Sequence, residues 1–182
     1  MSKLGDQLLA LHDALETAGI AHAFGGAIAL AYCTQEPRGT IDIDVNLFVD
    51  PAAAEQVFDV LPRRVAHTQN DVSTAERDGQ VRLFWDETPI DLFFAYHEYH
   101  DTVAARVRIV PFSAAEIPIL ACQDLIVFKA FFARTKDWAD IEAMVAANAV
   151  DAEEASRQVA ELLGADHPSY RRLLEAIAQA GS

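Results

Sequence analysis

Hydrophobic positions recur with two different periods along this chain. Leu4, Leu8, Leu11 and Leu15 share one face at helical spacing, which predicts a helix over 2–17 closed by Gly19. Residues 20–24 read as a short strand, and Gly25-Gly26 opens a helix of small residues running toward Tyr32. The clearest alternation covers 40–49, where Ile41, Ile43, Val45 and Leu47 alternate with Asp42, Asp44 and Asn46, the pattern of a half-buried strand. Asp50-Pro51 then supplies an N-cap and a proline at the first helical position. Segments 81–85 and 90–95 flank Asp86-Glu87-Thr88-Pro89 in the manner of a hairpin. A further strand is predicted over 106–112, and Ser113-Ala114-Ala115-Glu116 reads as a capping box. From Cys122 onward the period is helical, with helices expected over 123–135, 138–148, 152–163 and 169–180.

Strands and helices mix over the first two-thirds of the chain, and helices alone fill the last third. The expected class is therefore α+β (α/β): a mixed β-sheet core with flanking helices over 1–115, and a C-terminal helical bundle over 116–182. The longest apolar stretch, 20–32, is too short to span a bilayer, and the opening residues lack the pattern of a signal peptide. Cys33 and Cys122 lie far apart in apolar surroundings, outside any metal-ligand spacing. They read as reduced core thiols, which points to a cytoplasmic protein with no membrane partner. The formal net charge of −14 disfavours a broad electropositive face for nucleic acid and suits cationic partners.

Three carboxylates carry the chemical signal. Asp42 and Asp44, two apart on a strand, leave the same face. Alone, that spacing describes the polar side of many strands. Asp91 adds weight, because it is the single charged residue in Pro89-Ile90-Asp91-Leu92-Phe93-Phe94-Ala95, and a buried carboxylate is costly unless paired or bound to metal. Three acids drawn together repel unless a cation sits between them, and magnesium takes such hard oxygen ligands. The Gly25-Gly26 pair would let phosphate approach backbone N–H groups at a helix start.

Phe24-Gly25-Gly26, then Arg38-Gly39-Thr40-Ile41-Asp42-Ile43-Asp44-Val45, then Ile90-Asp91-Leu92 resembles the signature of the DNA polymerase β-like nucleotidyltransferase superfamily. The resemblance covers roughly 20–95. It implies a nucleotidyltransferase fold and an NTP substrate. It also implies two Mg2+ ions (Mn2+ can substitute) held by Asp42, Asp44 and Asp91, with Gly25, Gly26, Arg38 and Thr40 along the triphosphate path. Further on, Lys129 leads into Arg134-Thr135-Lys136-Asp137-Trp138-Ala139-Asp140-Ile141. Taken alone, this is an amphipathic helix with a charged end. It also resembles the third motif of the AbiEii/MenT-like branch, which implies Lys129 facing the triphosphate and Arg134 and Asp137 in the nucleotide site, with Asp140 as the alternative to Asp137. That branch contains toxins of toxin–antitoxin systems, so it implies the 3′ end of tRNA as acceptor and a cognate antitoxin as partner. The alternative acceptor is a small hydroxylated molecule such as an aminoglycoside, which the acidic composition suits. A degenerate module that only binds a partner is disfavoured by the complete acid triad. His97 and His100 have a spacing that can bind zinc on a helix, but no further ligand accompanies them.

Overall fold

Leu8, Leu11 and Leu15 are fully buried along one side of the first helix, α1 (Lys3–Thr17), as their spacing requires. The computed structural model describes residues 3–37 and 39–180. The chain folds as two compact units. One holds the described residues up to Ile28 together with Gly39–Leu120, and the other holds those of Ala29–Arg38 and from Ala121 onward.

The first unit is built on a mixed sheet of β1 (His22–Phe24), β2 (Ile43–Leu47), β3 (Val65–Ala66), β4 (Gln80–Trp85), β5 (Thr88–Phe94), β6 (Arg108–Phe112) and β7 (Ala115–Ile119). Their spatial order is β3-β4-β5-β2-β1-β7-β6. β2 runs parallel to β5 and β1 parallel to β7, and the remaining pairs are antiparallel. The β2–β5 register sets Ile43 against Ile90, Val45 against Leu92 and Leu47 against Phe94, all of them fully buried. These facing pairs form the centre of the core, each large side chain contributing about 1.5–3 kcal/mol of burial. Helix α1 is tied to the end of the β4–β5 hairpin by a buried polar link. The Gln7 amide donates to the Trp85 carbonyl at 3.3 Å and accepts from the Thr88 hydroxyl at 2.9 Å.

Helix α2 (Gly26–Thr34) starts at the glycine pair and ends in the second unit. Asp50 accepts from the Ala52 N–H at 2.8 Å and so caps a short 3-10 turn, Pro51–Ala53, that leads into α3 (Ala54–Val60). Helix α4 (Gln69–Asp78) has a Thr68/Asp71 capping box and a left-handed Gly79 at its end, and α5 (Tyr99–Ala105) completes the first unit. The second unit contains α6 (Cys122–Phe132), α7 (Thr135–Ala146), α8 (Ala152–Leu163) and α9 (Pro168–Ala180). No helix among the described residues is long and apolar enough to cross a membrane.

Four sequence expectations are corrected. The strand expected over 40–49 is confined to Ile43–Leu47, because pairing with β5 begins only at Ile43, and Ile41 is 79% exposed. The turn expected over 86–89 is only Asp86-Glu87, with Asp86 at φ 55°, so Thr88 and Pro89 already belong to β5. The capping box read at 113–116 is instead the β6–β7 hairpin turn, with Ser113 at φ 56° and Ala115 and Glu116 in the returning strand. Finally, Cys33 and Cys122 are not reduced thiols. Their apolar neighbourhoods are one and the same, their Cα atoms lie 5.6 Å apart, and they form a disulfide within the second unit. The reading of a reducing compartment loses its support with that bond.

Cys33→Ser or Cys122→Ser should therefore lower stability by about 2–4 kcal/mol, the usual effect of opening a long cross-linked loop. Urea unfolding with and without reductant tests this. An unfolding midpoint that reductant does not move would rule out a stabilising role for the bond.

Candidate active site

Residues directly opposite one another in a sheet share a face. The β2–β5 register sets Asp44 opposite Asp91, and the β4–β5 register sets Arg82 opposite Asp91. Arg82, Asp91 and Asp44 thus form a row across three strands, on the face away from Ile43, Val45 and Leu47. Facing carboxylates on neighbouring strands would destabilise the pair, and Arg82 offsets this. Its guanidinium grips Asp91 with two parallel bonds, Nε to Oδ1 and Nη2 to Oδ2, both 2.6 Å. Those hydrogen bonds raise the Arg82 pKa well above its ordinary value, and the charges of Asp91, Asp42 and Asp44 add to the effect against the cost of burial. All three acids therefore act on one permanent cation.

Asp42 sits just before β2. The Thr40 hydroxyl donates to Asp42 Oδ1 at 2.6 Å, while the Asp42 N–H reaches back to the same hydroxyl at 3.4 Å. Thr40 thus meets Asp42 through a turn rather than through strand alternation.

The glycine pair is dictated by the acid strand. The Gly25 N–H donates to the Asp44 carbonyl at 2.9 Å, prolonging the β1–β2 ladder. A Cβ on Gly25 would come within 2.8 Å of the Asn46 side-chain nitrogen. Gly26 has φ +51°, and a Cβ there would collide with the Asp44 carboxylate itself. Only residues without side chains let the start of α2 lie directly over Asp44.

Lys129, Arg134, Asp137 and Asp140 also come together, in the second unit. The Lys129 side chain is only 7% exposed, and its ammonium donates to Asp140 at 2.5 Å and to Asp137 at 3.4 Å. Arg134 donates to Asp137 from Nε at 2.7 Å, from Nη2 at 3.3 Å and from its backbone N–H at 3.1 Å. Burial alone would raise the Asp137 pKa, but the Arg134 hydrogen bonds and the charges of Lys129 and Arg134 outweigh it and hold the carboxyl below its ordinary 3.8. The motif around Lys129 is therefore an internal ion network at the start of α7, in which Asp140 is as deeply engaged as Asp137.

Arg38 lies outside the described residues. His97 and His100 make local bonds: His97 Nδ1 accepts from the Tyr99 N–H at 3.1 Å, and His100 Nδ1 lies 3.0 Å from the His97 carbonyl. Arg82 and the buried Asn46 were missed as site residues. With the turn placed at 86–89, Arg82 would have faced Phe93. The shorter turn shifts it onto Asp91.

No protein-family model matches this sequence, and no curated protein matches it by sequence. Several solved structures share its fold. The solution structure of the antibiotic-resistance factor ANT(2'')-Ia superimposes with a TM-score of 0.61 at 12% identity, covering 98% of this chain and 96% of that one. An antigenic nucleotidyltransferase-like protein from Paracoccidioides brasiliensis follows at 0.53 and 15% identity, covering 97% and 94%. A protein from H. pylori assigned as a nucleotidyltransferase gives 0.51 and 14% identity, covering 100% and 95%. At these identities the likeness is one of fold. The chain carries a nucleotidyltransferase fold.

Two outcomes follow from this geometry. Gly26→Ala should displace the Asp44 carboxylate as well as strain a left-handed backbone, at about 1–3 kcal/mol. A crystal structure of the variant with Asp44 unmoved would contradict the packing described. Lys129→Met should destabilise the protein by roughly 3–5 kcal/mol, because it leaves two buried carboxylates without their shared cation. A wild-type unfolding curve for that variant would show the network to be energetically idle.

Proposed function

We propose that this chain is a divalent-metal-dependent nucleotidyltransferase, moving a nucleoside monophosphate from an NTP to an acceptor hydroxyl with release of pyrophosphate. The observation that carries the reading is the Asp44–Asp91 pair on one face of the sheet, with Asp42 acting on the same Arg82 and a glycine turn shaped around Asp44. The donor set fits magnesium: the three acids offer hard oxygens only, and their charge already attracts a cation, Arg82. Asp42, Asp44 and Asp91 would hold Mg2+, which when bound would supply Lewis-acid stabilisation of the triphosphate and of an ionising acceptor hydroxyl.

The chain's own groups then have distinct tasks. Arg82 keeps the acid row from repelling itself, and its half-exposed guanidinium can turn toward incoming phosphate once Asp91 is otherwise engaged. Gly25 and Gly26 let the start of α2 close against Asn46 and the Asp44 carboxylate, which brings the positive end of that helix to the acids beside which phosphate would lie. Thr40 orients the Asp42 carboxylate. Asp91 accepts the proton of the acceptor hydroxyl. Lys129, Arg134 and Asp137 support the helical unit through their ion network.

For the acceptor, the net charge of −14 favours a small cationic molecule with free hydroxyl groups, the chemistry of an aminoglycoside. The basic run once available to grip tRNA is partly withdrawn, since Lys129 is buried and Arg134 is paired. The likeness of the fold to an antibiotic-resistance factor supports the same reading. The second reading, transfer to the 3′ end of tRNA by a toxin held in check by an antitoxin, rests on the Lys129–Asp140 motif.

Each labelled NTP should be incubated with an aminoglycoside panel and, separately, with total tRNA. Labelled aminoglycoside supports the first acceptor, and labelled tRNA would replace it with the second. Asp42→Ala and Asp44→Ala should each reduce transfer by about 10²-fold or more, as removal of a well-placed electrostatic stabiliser does. EDTA should abolish activity, and Mg2+ or Mn2+ but not Zn2+ should restore it. Turnover that survives exhaustive chelation would remove the metal from the mechanism.

A further inference from the structure

Helix α1 carries His12 and Glu16 four residues apart, so the two stack on one side of the helix. β1 brings up His22, which is 5% exposed, with its Nε2 lying 3.0 Å from His12 Nδ1. The other ring nitrogen, His22 Nδ1, lies 2.8 Å from the Ile20 carbonyl. A carbonyl can only accept, so Nδ1 carries a hydrogen, and the neutral ring leaves Nε2 with a lone pair. A carbonyl bond on the far nitrogen is also the usual anchor of a metal-ligating histidine. His12, Glu16 and His22 each offer a ligand atom, and these atoms all lie within 4.8 Å of one another. Among the described residues no other group of three His, Cys, Asp or Glu does so.

This cluster is separate from the acid row. His22 faces Leu47 and Phe24 faces Val45, which places His22 on the face opposite Asp44 and at the far end of β2. All three side chains border a cavity of about 420 Å3, whose walls also include Phe48, Ala104 and Glu116.

We propose that His12, Glu16 and His22 form a binding site for a zinc-like divalent transition ion, with its remaining position open to this cavity. Two imidazoles and one carboxylate match the ligands of three-protein-ligand zinc sites, which keep a fourth position for water or another small ligand. Imidazole donors disfavour magnesium, so the site does not duplicate the carboxylate cluster. A bound ion would fasten α1 to β1 and offer one exchangeable position to whatever enters the cavity. The proposal does not depend on the transfer activity.

Zn2+ should be titrated calorimetrically into the untagged, metal-stripped full-length protein, with excess Mg2+ present throughout. One ion per chain is expected, with a rise in the thermal midpoint. Co2+ should give the visible absorption of a low-coordinate nitrogen–oxygen site. Glu16→Gln, an exposed and structurally mild change, should weaken Zn2+ binding by about tenfold or more, since even outer-shell changes commonly cost that much. His12→Gln should remove the Co2+ absorption, whereas Asp44→Asn should leave both readouts unchanged. The site is overturned if Zn2+ does not bind stoichiometrically, or binds equally well to Glu16→Gln and His12→Gln. It is also overturned if binding disappears in Asp44→Asn while persisting in His12→Gln.

Discussion

Two carboxylates placed side by side on neighbouring strands of a half-buried sheet repel one another, and the fold of the first unit is arranged around that problem. Parallel pairing fixes Asp44 next to Asp91, and the same register packs Ile43, Val45 and Leu47 against Ile90, Leu92 and Phe94. The register cannot slip to separate the acids, because a one-residue shift would turn the whole apolar set away from the core. The repulsion is therefore held in place by burial on the other face. Arg82 compensates for it from the third strand, with a bidentate grip that still leaves its side chain half exposed. A fixed acidic pair held by one half-exposed cation is the feature on which the proposed metal-dependent reading rests.

The glycine turn belongs to the same constraint. Gly25 is hydrogen-bonded to the Asp44 backbone, and the space a Gly26 side chain would need is filled by the Asp44 carboxylate. Sequence, strand and helix start are thus coupled through one residue, Asp44. The ion network of the second unit follows different physics: there Lys129, Asp137 and Asp140 are buried, and with the half-exposed Arg134 they are mutually satisfied and suited to fixing helix packing.

Much of this was legible in the sequence because it is written in local periodicity. The leucine repeat of α1, the Asp42–Asp44 spacing, the Asp50-Pro51 start and the C-terminal helices all announce themselves within a few residues. Asp91 stood out as a lone charge in an apolar run. What escaped depended on pairing across distance. Arg82 could not be matched to Asp91 until the hairpin turn was known to be two residues long. His12 and His22 belong to different elements and meet only once α1 packs on the sheet. The cysteines misled for the same reason, since two apolar neighbourhoods remote in sequence proved to be one. Helix α4 was hidden by its weakly apolar sequence, although Thr68 and Asp71 mark its start and Gly79 its end.

The Cys33–Cys122 bond joins residues 89 positions apart and so closes the chain between them into a covalent ring. Nearly all of that ring, from Gly39 to Leu120, belongs to the unit that carries Asp42, Asp44 and Asp91. A single backbone break in a loop there, between Ala66 and Gln69 for example, would leave one covalent molecule until a reductant separated the fragments. The acid-bearing strands would stay tethered to each other through the helices even after such a nick. Under oxidising conditions the protein thus has a topological safeguard that a linear chain of the same fold would lack.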